Sequence, residues 1–130
     1  MNKLNITAKK FSPKFLPYIN DYSKRFNIYK GSAGSGKSFF IAQKLTLKAL
    51  KEQRKVLVCR RYGSTIRNSV FALFKDVLKD FKLYEYCKVR ESDFYIQLPN
   101  GSEFIFVGLD DQTKLLSIQN ISDVFVEEIW

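Results

Sequence analysis

The chain has 130 residues, 45% of them hydrophobic, which is enough for one domain with a buried core and excludes a disordered tail. Histidine is absent and the two cysteines, Cys59 and Cys87, have no metal-type spacing, so a zinc site and a histidine-based triad are both excluded as leading readings. The net charge of +9 is unevenly placed: residues 1–61 hold 15 Lys/Arg against 2 Asp/Glu, and residues 62–130 hold 7 against 11.

Residues 1–25 carry Pro13 and Pro17 among aromatic and basic side chains, which predicts an irregular lead-in packed beside the site that follows. Phe26-Asn27-Ile28-Tyr29 reads as a short strand. Lys37 to Lys51 reads as a helix, with Ile41, Leu45 and Ala49 recurring at i+4. Val56-Leu57-Val58-Cys59, bounded by charge, reads as a buried strand ending in Arg60-Arg61. After a Tyr62-Gly63-Ser64 loop with Ser64 or Thr65 as cap, Ile66, Val70, Leu73, Val77 and Phe81 predict a second helix from Thr65 to about Phe81. Phe94 to Leu98 and Glu103 to Val107 flank Pro99-Asn100-Gly101-Ser102, a hairpin signal of open loop length. The last strand, Asp123-Val124-Phe125-Val126, runs into Glu127-Glu128. Both cysteines read as small apolar core residues. This order predicts an α/β domain with a largely parallel central sheet flanked by helices. No apolar run is long enough for a bilayer span or a secretion signal, so a soluble intracellular protein with no membrane partner is expected.

Gly31-Ser32-Ala33-Gly34-Ser35-Gly36-Lys37-Ser38 matches the P-loop pattern G-x-x-x-x-G-K-[ST] in full, between a strand and a helix. The glycines let backbone N–H groups converge on phosphate oxygens, Lys37 reaches the β- and γ-phosphates, and the Ser38 hydroxyl can ligate Mg²⁺. Hydrolysis also needs a carboxylate in the metal shell and a group that orients or deprotonates water. Glu127 is assigned to the metal and Glu128 to the base, because both end a strand whose carboxyl end shares an edge with the P-loop. Asp123 begins that strand and is rejected on the same geometry, and Asp110-Asp111 reads as a polar loop. The positive charge that precedes the P-loop, on Lys3, Lys9, Lys10, Lys14, Lys24 and Arg25, exceeds the needs of one triphosphate and suggests a polyanion such as DNA.

Further segments occur in a telling order: Cys59-Arg60-Arg61, Ile66-Arg67-Asn68-Ser69-Val70-Phe71, Gly101-Ser102-Glu103-Phe104-Ile105-Phe106, Gly108-Leu109-Asp110-Asp111 and Asp123 to Glu128. Together with the P-loop they resemble the amino-terminal ATPase region of the large terminase subunit of tailed phages and prophages, most closely the type found in defective Bacillus prophages. The resemblance implies a P-loop NTPase of the RecA-like (ASCE) class. It also implies an ATP- and Mg²⁺-dependent motor in the bacterial host cytoplasm, packaging double-stranded viral DNA with a small terminase subunit and a portal protein, as a homo-oligomeric ring. Gly31 to Ser38 then match Walker A, Val124 to Glu127 match Walker B, and Glu128 matches the catalytic glutamate, with Lys37 acting on the phosphates.

Arg60, Arg61 and Arg67 are candidates for an arginine on the γ-phosphate. Many relatives read adenine through a glutamine upstream of Walker A, whereas the first glutamine here is Gln43, and Phe15 or Tyr18 could substitute by stacking. Large terminase subunits continue into a coupling motif and a nuclease domain, neither of which is present in this sequence. The expectation is therefore a domain spanning 1–130, truncated after Walker B and poorly stable alone. It would lack the strand that lies between the Walker A and Walker B strands in this class, leaving sheet edges unpaired. The alternatives are another P-loop DNA-dependent ATPase of helicase or repair type, and a non-catalytic nucleotide- or DNA-binding remnant.

Overall fold

The structure is a computed structural model that describes residues 27–32 and 36–128; the lead-in and its Pro13 and Pro17 lie outside the described residues. Among the described residues the strands and α-helices follow in the order β1 (Asn27–Ser32), α1 (Lys37–Lys51), β2 (Lys55–Arg60), α2 (Val70–Asp80), β3 (Lys88–Arg90), β4 (Tyr95–Gln97), β5 (Glu103–Gly108), α3 (Gln112–Ser117) and β6 (Asp123–Glu128). The strands form one sheet in the order β1-β6-β2-β5-β4-β3. β1, β6, β2 and β5 run parallel, while β4 and β3 return antiparallel beyond β5. The predicted α/β class and largely parallel sheet are what the chain adopts.

One side of the sheet carries the main core. α1 and α2 lie over it, and Ile41, Leu45 and Ala49 are all buried there, as their spacing predicts. Phe74 of α2 is the hub: its ring centroid lies 4.9 Å from Phe104 and 5.4 Å from Phe106, both on β5, and 6.2 Å from Phe125 on β6. The Phe74–Phe106 pair meets edge-to-face, which adds attraction to the area that it buries. The other side of the sheet holds a smaller cluster, in which Leu57, Cys59 and Val107 are covered by Leu115, Ile118 and Ile121.

One local expectation is corrected, and two features left open by the sequence take definite form. The second helix starts at Val70, not Thr65. The hydroxyl of Thr65 donates to the Tyr62 carbonyl and that of Ser69 to the Thr65 carbonyl, so side chains offer the backbone a non-helical alternative, with a short 3₁₀ turn at Gly63–Thr65 and no side-chain cap. The hairpin between β4 and β5 closes with Gln97 opposite Glu103, and its loop is tied to α1: the Asn100 amide and the Ser102 hydroxyl both donate to the Ala49 carbonyl, at 2.7 and 2.6 Å. These bonds satisfy a carbonyl that the helix end leaves orphaned. Finally, β1 pairs directly with β6 along six residues, Asn27 with Asp123 through Ser32 with Glu128. Among the described residues no strand lies between these two.

Both cysteines are packed as predicted, and burial pushes each thiol from 9.0 up to about 11. At pH 8 the folded chain is expected to react with iodoacetamide roughly 100-fold more slowly than the urea-unfolded chain, because only the thiolate attacks. The linked stability effect has a definite sign: between pH 9.0 and about 11 the unfolded state has released thiol protons that the folded state keeps, so stability falls as pH rises through that window. Alkylation rates and urea midpoints measured across pH 8 to 11 on the parent and on Cys59→Ala/Cys87→Ala check both statements.

Candidate functional site

The sequence between β1 and α1 holds the P-loop pattern. β1 runs through Gly31 and Ser32, and α1 opens at Lys37 after Gly36, whose φ of +76° is a left-handed conformation that glycine adopts without strain. Ala33, Gly34 and Ser35 lie outside the described residues. α1 has no acidic side chain in its first turn, so the positive end of its dipole is not neutralised from within. Lys37 is exposed. Ser38 is 7% exposed, and its buried hydroxyl has no hydrogen-bond partner among the described residues. A buried hydroxyl without a partner costs free energy, and a metal bound beside a phosphate would satisfy it. The residues present therefore fit a triphosphate with its Mg²⁺.

Strand register brings the acidic end of β6 to this loop. Gly31 pairs with Glu127 and Ser32 with Glu128 across β1 and β6. On the other flank Glu127 pairs with Arg60 of β2, and Arg60 in turn with Gly108 of β5. Gly31, Glu127, Arg60 and Gly108 thus form one row at the carboxyl edge of the sheet, where ligands of open parallel sheets sit. Within that row Arg60 Nη1 donates to Glu127 Oε1 at 2.5 Å, with each residue only 5% exposed. Glu128 is described by its backbone register alone.

Asp123 lies at the opposite edge, about 13 Å away for four residues of extended strand. Its carboxylate is fully buried and accepts from Lys48 Nζ at 2.5 Å and from the Ser122 hydroxyl at 2.9 Å. That is a structural assignment and agrees with rejecting it as the metal ligand. Asp110 and Asp111 are also structural. Asp110 Oδ1 accepts from the Gly63 N–H at 3.0 Å, and Asp111 caps α3 by accepting from the Lys114 N–H at 3.1 Å. Gly108 is required at this junction, since a Cβ there would stand 2.3 Å from the Gly63 nitrogen.

The three candidate arginines separate. Arg60 is committed to Glu127, whereas Arg61 lies exposed over the Tyr62 ring at 5.3 Å and Arg67 lies exposed over Phe94 at 4.9 Å. Gln43 is buried in α1, so it does not face a base, and Phe15 and Tyr18 lie outside the described residues. Sequence reasoning missed the Arg60–Glu127 pair. Its signal is non-local: each residue ends an apolar strand, but only the insertion of β6 beside β2 brings them together.

Residues 23–130 match the family described as phage terminase large subunit. This chain belongs to that family. The terminase chain is 37% identical over 121 residues to the PBSX phage terminase large subunit of Bacillus subtilis (strain 168), an alignment covering 93% of this chain and 28% of that protein. It is 29% identical over 137 residues to the large terminase subunit of Bacillus phage SPP1, covering 99% of this chain and 32% of the relative. The terminase chain therefore spans less than a third of the length of either relative. The solved structure of a large terminase from a thermophilic bacteriophage shares the fold, with a TM-score of 0.58 at 15% identity over 87% of this chain and 37% of that one. Among the described residues no helix is long and apolar enough to cross a membrane.

Proposed function

We propose that this chain is the ATP-binding and ATP-hydrolysing part of a phage terminase large subunit. In the longer protein it would drive double-stranded viral DNA into procapsids with a small terminase subunit and a portal protein, as a homo-oligomeric ring in the bacterial host cytoplasm. The observation that carries this reading is the register of Gly31 with Glu127, which sets the start of the phosphate-binding pattern beside the acidic strand end. Family membership and the basic balance of residues 1–61 support the assignment to DNA packaging.

In this reading residues 31–38 cradle the phosphates through backbone N–H groups, and the Lys37 ammonium offsets charge on the terminal phosphate oxygens. The Ser38 hydroxyl and the Glu127 carboxylate hold the Mg²⁺ shell, and the Glu128 carboxylate accepts a proton from water. Magnesium, when bound, supplies charge neutralisation at the phosphate oxygens. Substitution Lys37→Ala tests the site. It is expected to weaken binding of a fluorescent ATP analogue by roughly 10- to 100-fold, the equivalent of one charge-assisted hydrogen bond of ~1.5–3 kcal/mol, and to leave AMP affinity unchanged. Equal affinities of the parent and the variant for ATP would refute this assignment.

A further inference from the structure

The geometry points to Arg60 as a positioning residue for Glu127, an inference that rests on the nucleotide-site reading above. Two ionised side chains at 5% exposure are costly to desolvate, so a buried pair without a task is an unfavourable way to fill a sheet edge. This pair sits in the row that begins at Gly31, and the other buried carboxylate of β6 is held differently: Asp123 meets Lys48 from a helix. Register partners on adjacent strands project to the same face, which lets the two side chains meet without either leaving its strand.

Arg60 is itself held from both flanks. Its carbonyl accepts from the Leu109 N–H at 2.8 Å, extending the β2–β5 ladder past Gly108. The chain just beyond it is clamped by the bond from the Gly63 N–H to Asp110 Oδ1 and by the close approach of Gly63 to Gly108. The Gly108-Leu109-Asp110 segment thereby fixes Arg60, and Arg60 fixes Glu127. Among the described residues the contact uses one carboxylate oxygen, Oε1, which sets the rotamer and leaves Oε2 for a metal shell. A ligand group held by a rigid supporting side chain loses less freedom when its metal arrives. This role also removes Arg60 from the arginines that could reach a γ-phosphate, leaving Arg61 and Arg67.

The test separates metal-dependent from metal-independent binding in the 130-residue chain. A fluorescent ATP analogue is titrated in EDTA and then across a Mg²⁺ series, with Mn²⁺ as a second probe read by its own electron paramagnetic resonance signal. Arg60→Ala and Arg60→Lys are compared with the parent. The expected result is an unchanged affinity in EDTA, a roughly tenfold rise in the Mg²⁺ concentration needed for half-maximal tightening in Arg60→Ala, and partial rescue in Arg60→Lys. If Arg60→Ala does not fold, the Lys variant decides, because it keeps the charge and loses the planar fork. Metal dependence identical to the parent in every folded variant overturns the positioning role while the nucleotide site stands. Equal loss of affinity with and without metal also overturns it, since that marks a general structural role. A parent that binds no nucleotide in either condition removes the site and this inference together.

Discussion

Replacing Glu128 by Gln is expected to lower ATP turnover by ~10²–10⁴-fold while changing ATP affinity by less than about threefold. The two glutamates at the end of β6 are not equivalent. Glu127 is buried and its Oε1 already accepts from the Arg60 guanidinium, which suits the ligand role proposed for it better than that of a base meeting a mobile water. In the proposed reading the base role falls to Glu128, whose backbone is in register with Ser32 on β1. Gln has the size of Glu and can still hydrogen-bond, so the substitution removes the proton acceptor and little else. Phosphate release, measured beside equilibrium binding of the fluorescent analogue, separates the two effects. A variant that turns over as fast as the parent would move the base elsewhere. A parent that binds ATP and releases no phosphate would identify the non-catalytic nucleotide-binding module.

The parts of this fold that were legible in the sequence are those encoded locally. The helix opening at Lys37, the i+4 recurrence of Ile41, Leu45 and Ala49, the apolar run of β2 and the Asn-Gly hairpin each depend on residues a few positions apart, and each appears where it was expected. The start of α2 was misread because Ile66 is buried without being helical: it continues the apolar spacing of the helix while the hydroxyls of Thr65 and Ser69 hold the backbone out of it. β3 was missed because Lys88-Val89-Arg90 is only three residues long and owes its strand geometry to pairing with β4. α3 is too short for a period to register, although Asp111 three residues before Lys114 was a usable capping signal.

The candidate site was legible as residue types at one edge of the sheet but not in its strand order or side-chain pairing. Glu127 and Glu128 could be placed at a strand end from sequence, yet the strand order could not, since β6 comes last in the chain and lies between the first two strands. That insertion converts two unrelated strand ends into the Arg60–Glu127 pair and sets Gly31 beside Glu127. The Gly108-Leu109-Asp110-Asp111 segment shows the same limit from the other side. It served as a mark of family resemblance, and its physical work is to let two loops touch at Gly63 and Gly108 and to cap a helix.

At the other end of β6, Asp123→Ala is expected to destabilise the chain by about 3–5 kcal/mol, the range for breaking a buried ion pair by removing one partner. The Asp123 carboxylate is fully buried and meets the Lys48 ammonium, itself 3% exposed, at 2.5 Å. It also accepts from the Ser122 hydroxyl and lies 3.9 Å from Arg54 Nη1. Removing it takes the carboxylate from two cations at once. The converse change, Lys48→Met, is expected to cost less, because Asp123 keeps Ser122 and Arg54 while the methionine fills the vacated stem volume. Urea denaturation of both variants checks the asymmetry. Equal losses would mean that Lys48 is the sole significant partner. A loss below about 1 kcal/mol for Asp123→Ala would mean that the ammonium finds water, and that the two ends of β6 differ less in burial than their contacts require.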